Sequence, residues 1–207
     1  MTDKMSSANF EPAADEAQPD LSLPADRMPE AEVALRLAGF ILSLPGSGAM
    51  ASVAIDAVSI KVGNAVVFDI GHFMTGMGWE QVKEPQVGRS AWTGAYRRGD
   101  KTIRVHSRPG EGDVVTMVEG RRIIAECQKG PLARRAGSLE VSLLTTALGQ
   151  ALLFDVSAAD IVIAAVPDTP IFRRLVETWQ KRPLIRRAGI RLVLVARDGS
   201  VSGLDLQ

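Results

Sequence analysis

The run Ile161-Val162-Ile163-Ala164-Ala165-Val166 carries no polar residue on either side of its alternation, so a strand built from it must be covered on both faces. Such a strand belongs to an α/β protein with helices packed on both sides of a sheet. Its surroundings repeat the signal. Pro167 closes the run, Asp168 or Thr169 offers a helix cap, and Pro170 suits the first turn of a helix reaching about residue 181. Gly189 precedes another strand over residues 190–196, closed by Asp198-Gly199.

Upstream, Gly112-Asp113-Val114-Val115 and the stretch from Arg121 to Gly130 flank Glu119-Gly120, a turn signal between β-branched residues. A hairpin there carries Asp113 at the start of one strand and Glu126 near the end of the next. Strand alternation puts Glu126 and Gln128 on one face, with Cys127 and Lys129 on the other. Two acids converging at one sheet edge supply the oxygen ligands that a hard divalent cation needs. A loop with Arg134 and Arg135 follows. Ser138 then offers an N-cap to a helix over residues 139–154, with Leu144, Ala147, Leu148, Ala151 and Leu152 at helical spacing. Gln150 lies one turn before Phe154.

These acids, their spacing and the order of elements after them resemble the PD-(D/E)xK nuclease superfamily, of restriction-endonuclease-like fold, over about residues 68–195. The resemblance implies a core of an acid-bearing hairpin, a helix, a buried strand, a helix and a further strand. It implies Mg²⁺ or Mn²⁺ held by Asp113 and Glu126, which with Gln128 would form the catalytic group. Gln128 stands at the usual lysine position, and Pro109 lies four residues before Asp113 rather than beside it. Lys129 could take the lysine's place only through a β-bulge at residues 129–130. Gln150 and Phe154 look like the Gln-xxx-Tyr element that some of these nucleases carry, and Arg134, Arg135 and Gln150 are the expected nucleic-acid contacts. The implied activity is hydrolysis of phosphodiester bonds, with DNA the expected substrate. The neutral Gln128 keeps a second expectation open: an inactive nuclease fold that binds nucleic acid or a partner protein.

Ahead of the hairpin, residues 68–77 are expected to form the leading helix, and residues 92–96 and 102–106 an antiparallel pair around Arg98-Gly99-Asp100. Glu80 is a candidate for a further metal ligand, with a surface role the commoner outcome. His106, one of two histidines with His72, borders the proposed site as a strand-end residue. Residues 33–44 form twelve mostly apolar positions interrupted by Arg36, too short for the roughly 20 that span a bilayer, and read as a buried or docking helix. Pro45-Gly46-Ser47-Gly48 ends it and lacks the Gly-Lys-Ser/Thr ending of a phosphate loop. Residues 50–67 are apolar and ambiguous between strand and helix.

Residues 1–32 hold eight acids against two basic residues and four prolines, with too little apolar surface to offset ordering entropy, and read as a disordered acidic tail. The segment lacks the basic start and apolar stretch of a signal peptide. Removing it from the balanced total of 24 acids and 24 bases leaves 22 bases and 16 acids from Val33 onward. That excess of arginine suits a polyanionic partner. The lone Cys127 excludes an internal disulfide and a cysteine-rich metal site, and fits a reducing, cytoplasmic setting. The expected organisation is a tail (1–32), an N-terminal helix with an ambiguous apolar segment (33–67), and a nuclease-like domain (68–207). The expected fold is a mixed sheet flanked by helices, without membrane association, and with a homodimer or a partner protein left open.

Overall fold

The computed structural model describes residues 27–55, 60–62, 65–82, 92–108, 110, 112–131 and 139–205. Helix α1 (Glu30–Ser43) opens this part of the chain. Its apolar positions occupy so much of the circumference that Val33, Leu35, Leu37, Ala38 and Ile41 are wholly buried. The helix begins inside the stretch read as the tail: Met28, Ala31 and Glu32 are already buried. Glu32 tolerates that position because Arg36 reaches it at 2.9 Å and Arg197 at 3.2 Å on both carboxylate oxygens. The earlier part of the tail lies outside the described residues.

After α1 come β1 (Ser47–Ala54), β2 (Ile60–Val62), β3 (Ala65–Phe68), α2 (Ile70–Gly76), β4 (Glu80–Val82), β5 (Gly94–Arg98) and β6 (Lys101–His106). The second half holds β7 (Val114–Val118), β8 (Arg121–Cys127), α3 (Leu139–Ala151), β9 (Ile161–Pro167), α4 (Pro170–Trp179), α5 (Pro183–Ala188), β10 (Arg191–Val195) and β11 (Val201–Ser202). Nine strands form one mixed sheet in the order β11-β10-β9-β8-β7-β1-β6-β5-β4, while β2 and β3 pair separately. Strands β8, β9 and β10 run parallel, as do β1 and β6; β7 lies antiparallel to both β1 and β8.

The helix expected over residues 68–77 forms as the shorter α2. Phe68 ends β3, Asp69 caps α2 by accepting from the His72 amide at 2.6 Å, and the helix is only seven residues long. Of the ambiguous residues 50–67, those described from 50 to 54, 60 to 62 and 65 to 67 lie in β1, β2 and β3, and β1 sits mid-sheet between β7 and β6.

Side-chain alternation divides the core in two. Val53, Val105, Val114, Ile123, Ala125, Cys127, Ile163 and Val193 pack with α1 on one face. Val162, Ala164, Val166, Leu192 and Leu194 pack with α3 and α4 on the other. Every residue of β9 is buried, as its unbroken apolar run requires. Helix α4 starts where the Thr169 hydroxyl accepts from the Phe172 amide at 3.3 Å, with Pro170 in its first turn. No helix among the described residues is long and apolar enough to cross a membrane.

Candidate functional site

The hairpin turn is made by Glu119 (φ 51°) and Gly120 (φ 75°), two consecutive left-handed residues between the paired Val118 and Arg121. That is the two-residue loop whose twist matches its strands, and it fixes the register of β7 against β8. From there Val114 faces Ala125. Yet the Asp113 amide also donates to the Ala125 carbonyl at 2.9 Å, so two successive residues answer to one: a β-bulge. The bulge turns Asp113 between two strands. Its carbonyl accepts from Ala54 of β1 at 2.9 Å, and its Oδ2 accepts from the Cys127 amide of β8 at 2.7 Å. The carboxylate thus takes over an amide that β7 no longer reaches.

Glu126 and Gln128 lie on the face of β8 covered by α3, since Glu126 is in register with Ala164 while Ala125 and Cys127 pack on the α1 side. Both are largely buried, at 8% and 9% exposure. Gln128 Nε2 donates to Gln150 Oε1 of α3 at 3.4 Å, so the strand glutamine and the helix glutamine meet. Phe154 is not in the helix, which ends at Ala151. Its ring closes over Gly112 instead: a Cβ there would stand 3.0 Å from Phe154 Cζ and 2.9 Å from Ile124 Cγ2. Glycine is what lets the chain pass beneath the aromatic ring into Asp113.

Cys127 is fully buried, and burial pushes its thiol well up, with the charges of Asp113, Glu126 and Glu30 adding to the effect. The neutral thiol is the form held there, which removes it as a nucleophile. Lys129 is exposed and stands past the end of β8. The ladder continues only to Gln128, whose amide donates to Ala165 O at 2.9 Å, and Gly130 then turns to Met28 O at 2.8 Å. Among the described residues no bulge at 129–130 brings Lys129 back to the face of Glu126.

His106 shares the site's end of the sheet. Its carbonyl accepts from Ile55 at 2.8 Å, one residue beyond the Ala54 bonded to Asp113, and its Nε2 lies 2.8 Å from Ser52 Oγ. Sequence reasoning brought His106 to the border of the site but missed Ser52, whose partner depends on the parallel β1–β6 pairing. Glu80 is corrected as a metal-ligand candidate. It lies exposed on edge strand β4, four strand spacings from β7, or roughly 19 Å at about 4.8 Å each. Arg134 and Arg135 lie outside the described residues.

Of the other arginines, Arg173 forms a two-pronged pair with Asp168 at 2.8 and 3.1 Å, and Arg197 is spent on Glu32. Arg174, Arg182, Arg186 and Arg187 remain exposed on α4 and α5. Among the described residues no three His, Cys, Asp or Glu side chains converge as a metal cluster. Comparison with models of protein families, with curated proteins and with solved structures finds no match for the chain.

Proposed function

We propose that the chain is a divalent-metal-dependent nuclease of the PD-(D/E)xK type, with a restriction-endonuclease-like core formed by β1, β7, β8, α3, β9, α4 and β10. The observation that carries this reading is the end of the β7–β8 hairpin. Glu126 and Gln128 share one face there with Gln150 of α3, and Asp113 is tied across from β1 to β8. The order of hairpin, helix, buried strand, helix and strand is also the one the resemblance implies.

The donor chemistry fits Mg²⁺ or Mn²⁺. Mg²⁺ is commonly held by one or two carboxylates, with waters and substrate phosphate completing its sphere. Asp113 and Glu126 are two such carboxylates on neighbouring segments. A bound ion would polarise the scissile phosphate and lower the pKa of the attacking water. The protein's own contributions are positional. The Cys127 amide holds the Asp113 carboxylate, and burial under α3 restricts Glu126 to few rotamers. Gln128, steadied by Gln150, would donate to a phosphate oxygen or to water. A basic surface of Arg174, Lys181, Arg182, Arg186 and Arg187 on and around α4 and α5 would attract the phosphate backbone.

One observation favours a second reading, a binding module without cleavage. The position of the usual lysine holds an uncharged amide already bonded to another amide. Cleavage of single- and double-stranded DNA in Mg²⁺ or Mn²⁺ separates the two. The nuclease reading expects cleavage by the wild type, its loss in Glu126→Ala with DNA binding retained, and unchanged or higher activity in Gln128→Lys, since a cation there stabilises developing charge. Binding by every variant with cleavage by none selects the module. Cleavage surviving in the Asp113→Ala, Glu126→Ala double variant sinks the site.

A further inference from the structure

A cavity of about 270 Å³, with no residue of the acidic hairpin in its lining, opens between α1, the turn after α2, the end of β5 and the turn joining β10 to β11. It falls just below the roughly 300–1,000 Å³ typical of small-molecule sites. One wall is a helical stripe at i, i+3, i+4 and i+7: Arg36, Gly39, Phe40 and Ser43. Gly39 matters because it has no side chain. A Cβ added there would stand 3.9–4.0 Å from the Trp79 indole, filling space now open beside its ring nitrogen.

Two hydrogen-bond donors line this cavity: the Trp79 indole, without an acceptor among the described residues, and the Arg98 guanidinium, without a carboxylate among them. Trp79 is 1% exposed, and its buried Nε1 has no hydrogen-bond partner among the described residues. Buried indole N–H groups ordinarily find one. The Arg98 guanidinium lies 4.5 Å above the Trp79 ring and donates through Nη1 to the Met77 carbonyl at 3.2 Å. No carboxylate among the described residues pairs with it. The other two charged side chains of the cavity have hydrogen-bond partners of their own. Arg36 is bonded to Glu32 at 2.9 Å and stacked over Phe73. Asp198 accepts from the Ser200 amide at 2.8 Å and hydroxyl at 2.6 Å.

What remains is an indole N–H and a guanidinium on neighbouring walls, with Phe40 alongside as an apolar surface. We propose that this cavity binds a small oxyanion-bearing molecule, a carboxylate or a phosphate, with Trp79 Nε1 and Arg98 as its donors. Arg98 contributes charge and a planar fork matched to such oxygens. Trp79 contributes a neutral donor whose burial makes it selective for a ligand seated inside the cavity over one resting at its mouth. Any body carried by the anion packs against Phe40.

The test uses the full-length ¹⁵N-labelled protein, whose three tryptophans give three indole N–H resonances. Trp92→Phe and Trp179→Phe identify the Trp79 signal without touching the cavity. Inorganic phosphate, acetate and phenyl phosphate are titrated separately at constant ionic strength. The expected result is a saturable shift of the Trp79 resonance with at least one probe, weakened tenfold or more in Arg98→Gln. Saturation by inorganic phosphate alone identifies a free phosphate ligand. Tighter binding of phenyl phosphate identifies an organic ester, and saturation by acetate identifies a carboxylate. A Trp79 signal that never saturates, or equal affinity in wild type and Arg98→Gln, overturns the proposal.

Discussion

At Gly112 one added methyl would meet Ile124 Cγ2 at 2.9 Å and both Ala125 O and Phe154 Cζ at 3.0 Å, on a backbone at φ 156°. Gly112→Ala should therefore destabilise the fold by about 1–3 kcal/mol, as overpacking does, measured by urea unfolding. Asp113 next to it has a structural task beyond any metal, since its Oδ2 is the acceptor for the Cys127 amide. Asp113→Ala should cost about 1–3 kcal/mol by leaving that amide unsatisfied, whereas Asp113→Asn retains an acceptor oxygen and should lose distinctly less. Equal losses in the same unfolding experiment would mean that the bond contributes nothing. Much of this site was legible in the residues. Period-two alternation alone assigns Glu126 and Gln128 to one face and Cys127 to the other. The bulge at Asp113 was not legible, because alternation carries no mark of an extra residue and the consequence depends on β1 supplying Ala54.

Elements with a strong local signal formed where expected. Strand β9 follows its apolar run, the β7–β8 hairpin follows Glu119-Gly120, and α4 follows Thr169 and Pro170. Strand β1, Ser-Gly-Ala-Met-Ala-Ser-Val-Ala, has few β-branched residues and becomes a strand through pairing with β6 and β7. Helix α3 stops at Ala151, short of Phe154, because Leu153 bonds back to Gln150 at 2.9 Å and the chain turns toward Gly112. The loop between α3 and β9 is held by Asp160, whose Oδ2 accepts from Arg122 Nη2 and from the Ser157 amide, both at 2.8 Å. The Arg122 bond, then that from Ser157, hold its carboxyl down at about 2 from an ordinary 3.8. A depressed carboxyl stabilises above its ordinary pKa, and that contribution is lost as pH falls through the folded value. Wild-type stability should therefore decline between about pH 4 and pH 2 more steeply than that of Asp160→Asn. Parallel declines in acid unfolding would show the pair to be energetically silent.

For the molecule as a whole, the α/β class followed from β9 and its neighbours, but the width of the sheet did not. The order β7-β1-β6-β5-β4 joins strands distant in sequence, as when Ser47 pairs with Val118 and Met50 O accepts from Thr116 Oγ1, and loop length leaves no trace of which strands will meet. Helix α1 shows the same limit. Its Glu32–Arg36 pair is readable from i, i+4 spacing, whereas Arg197 closes on Glu32 from 165 residues away. The central claim, that Asp113 and Glu126 hold a divalent cation at the end of the β7–β8 hairpin, also has a whole-molecule readout. An ion that binds only the folded state stabilises it by mass action, about 2.7 kcal/mol at a concentration 100-fold above its Kd. The decisive measurement is thermal unfolding of the wild type and of the Asp113→Asn, Glu126→Gln double variant, each across a Mn²⁺ titration and compared with its own metal-free Tm. The account predicts a saturable rise in Tm for the wild type and none for the variant; an equal rise in both, or no rise in either, would contradict it.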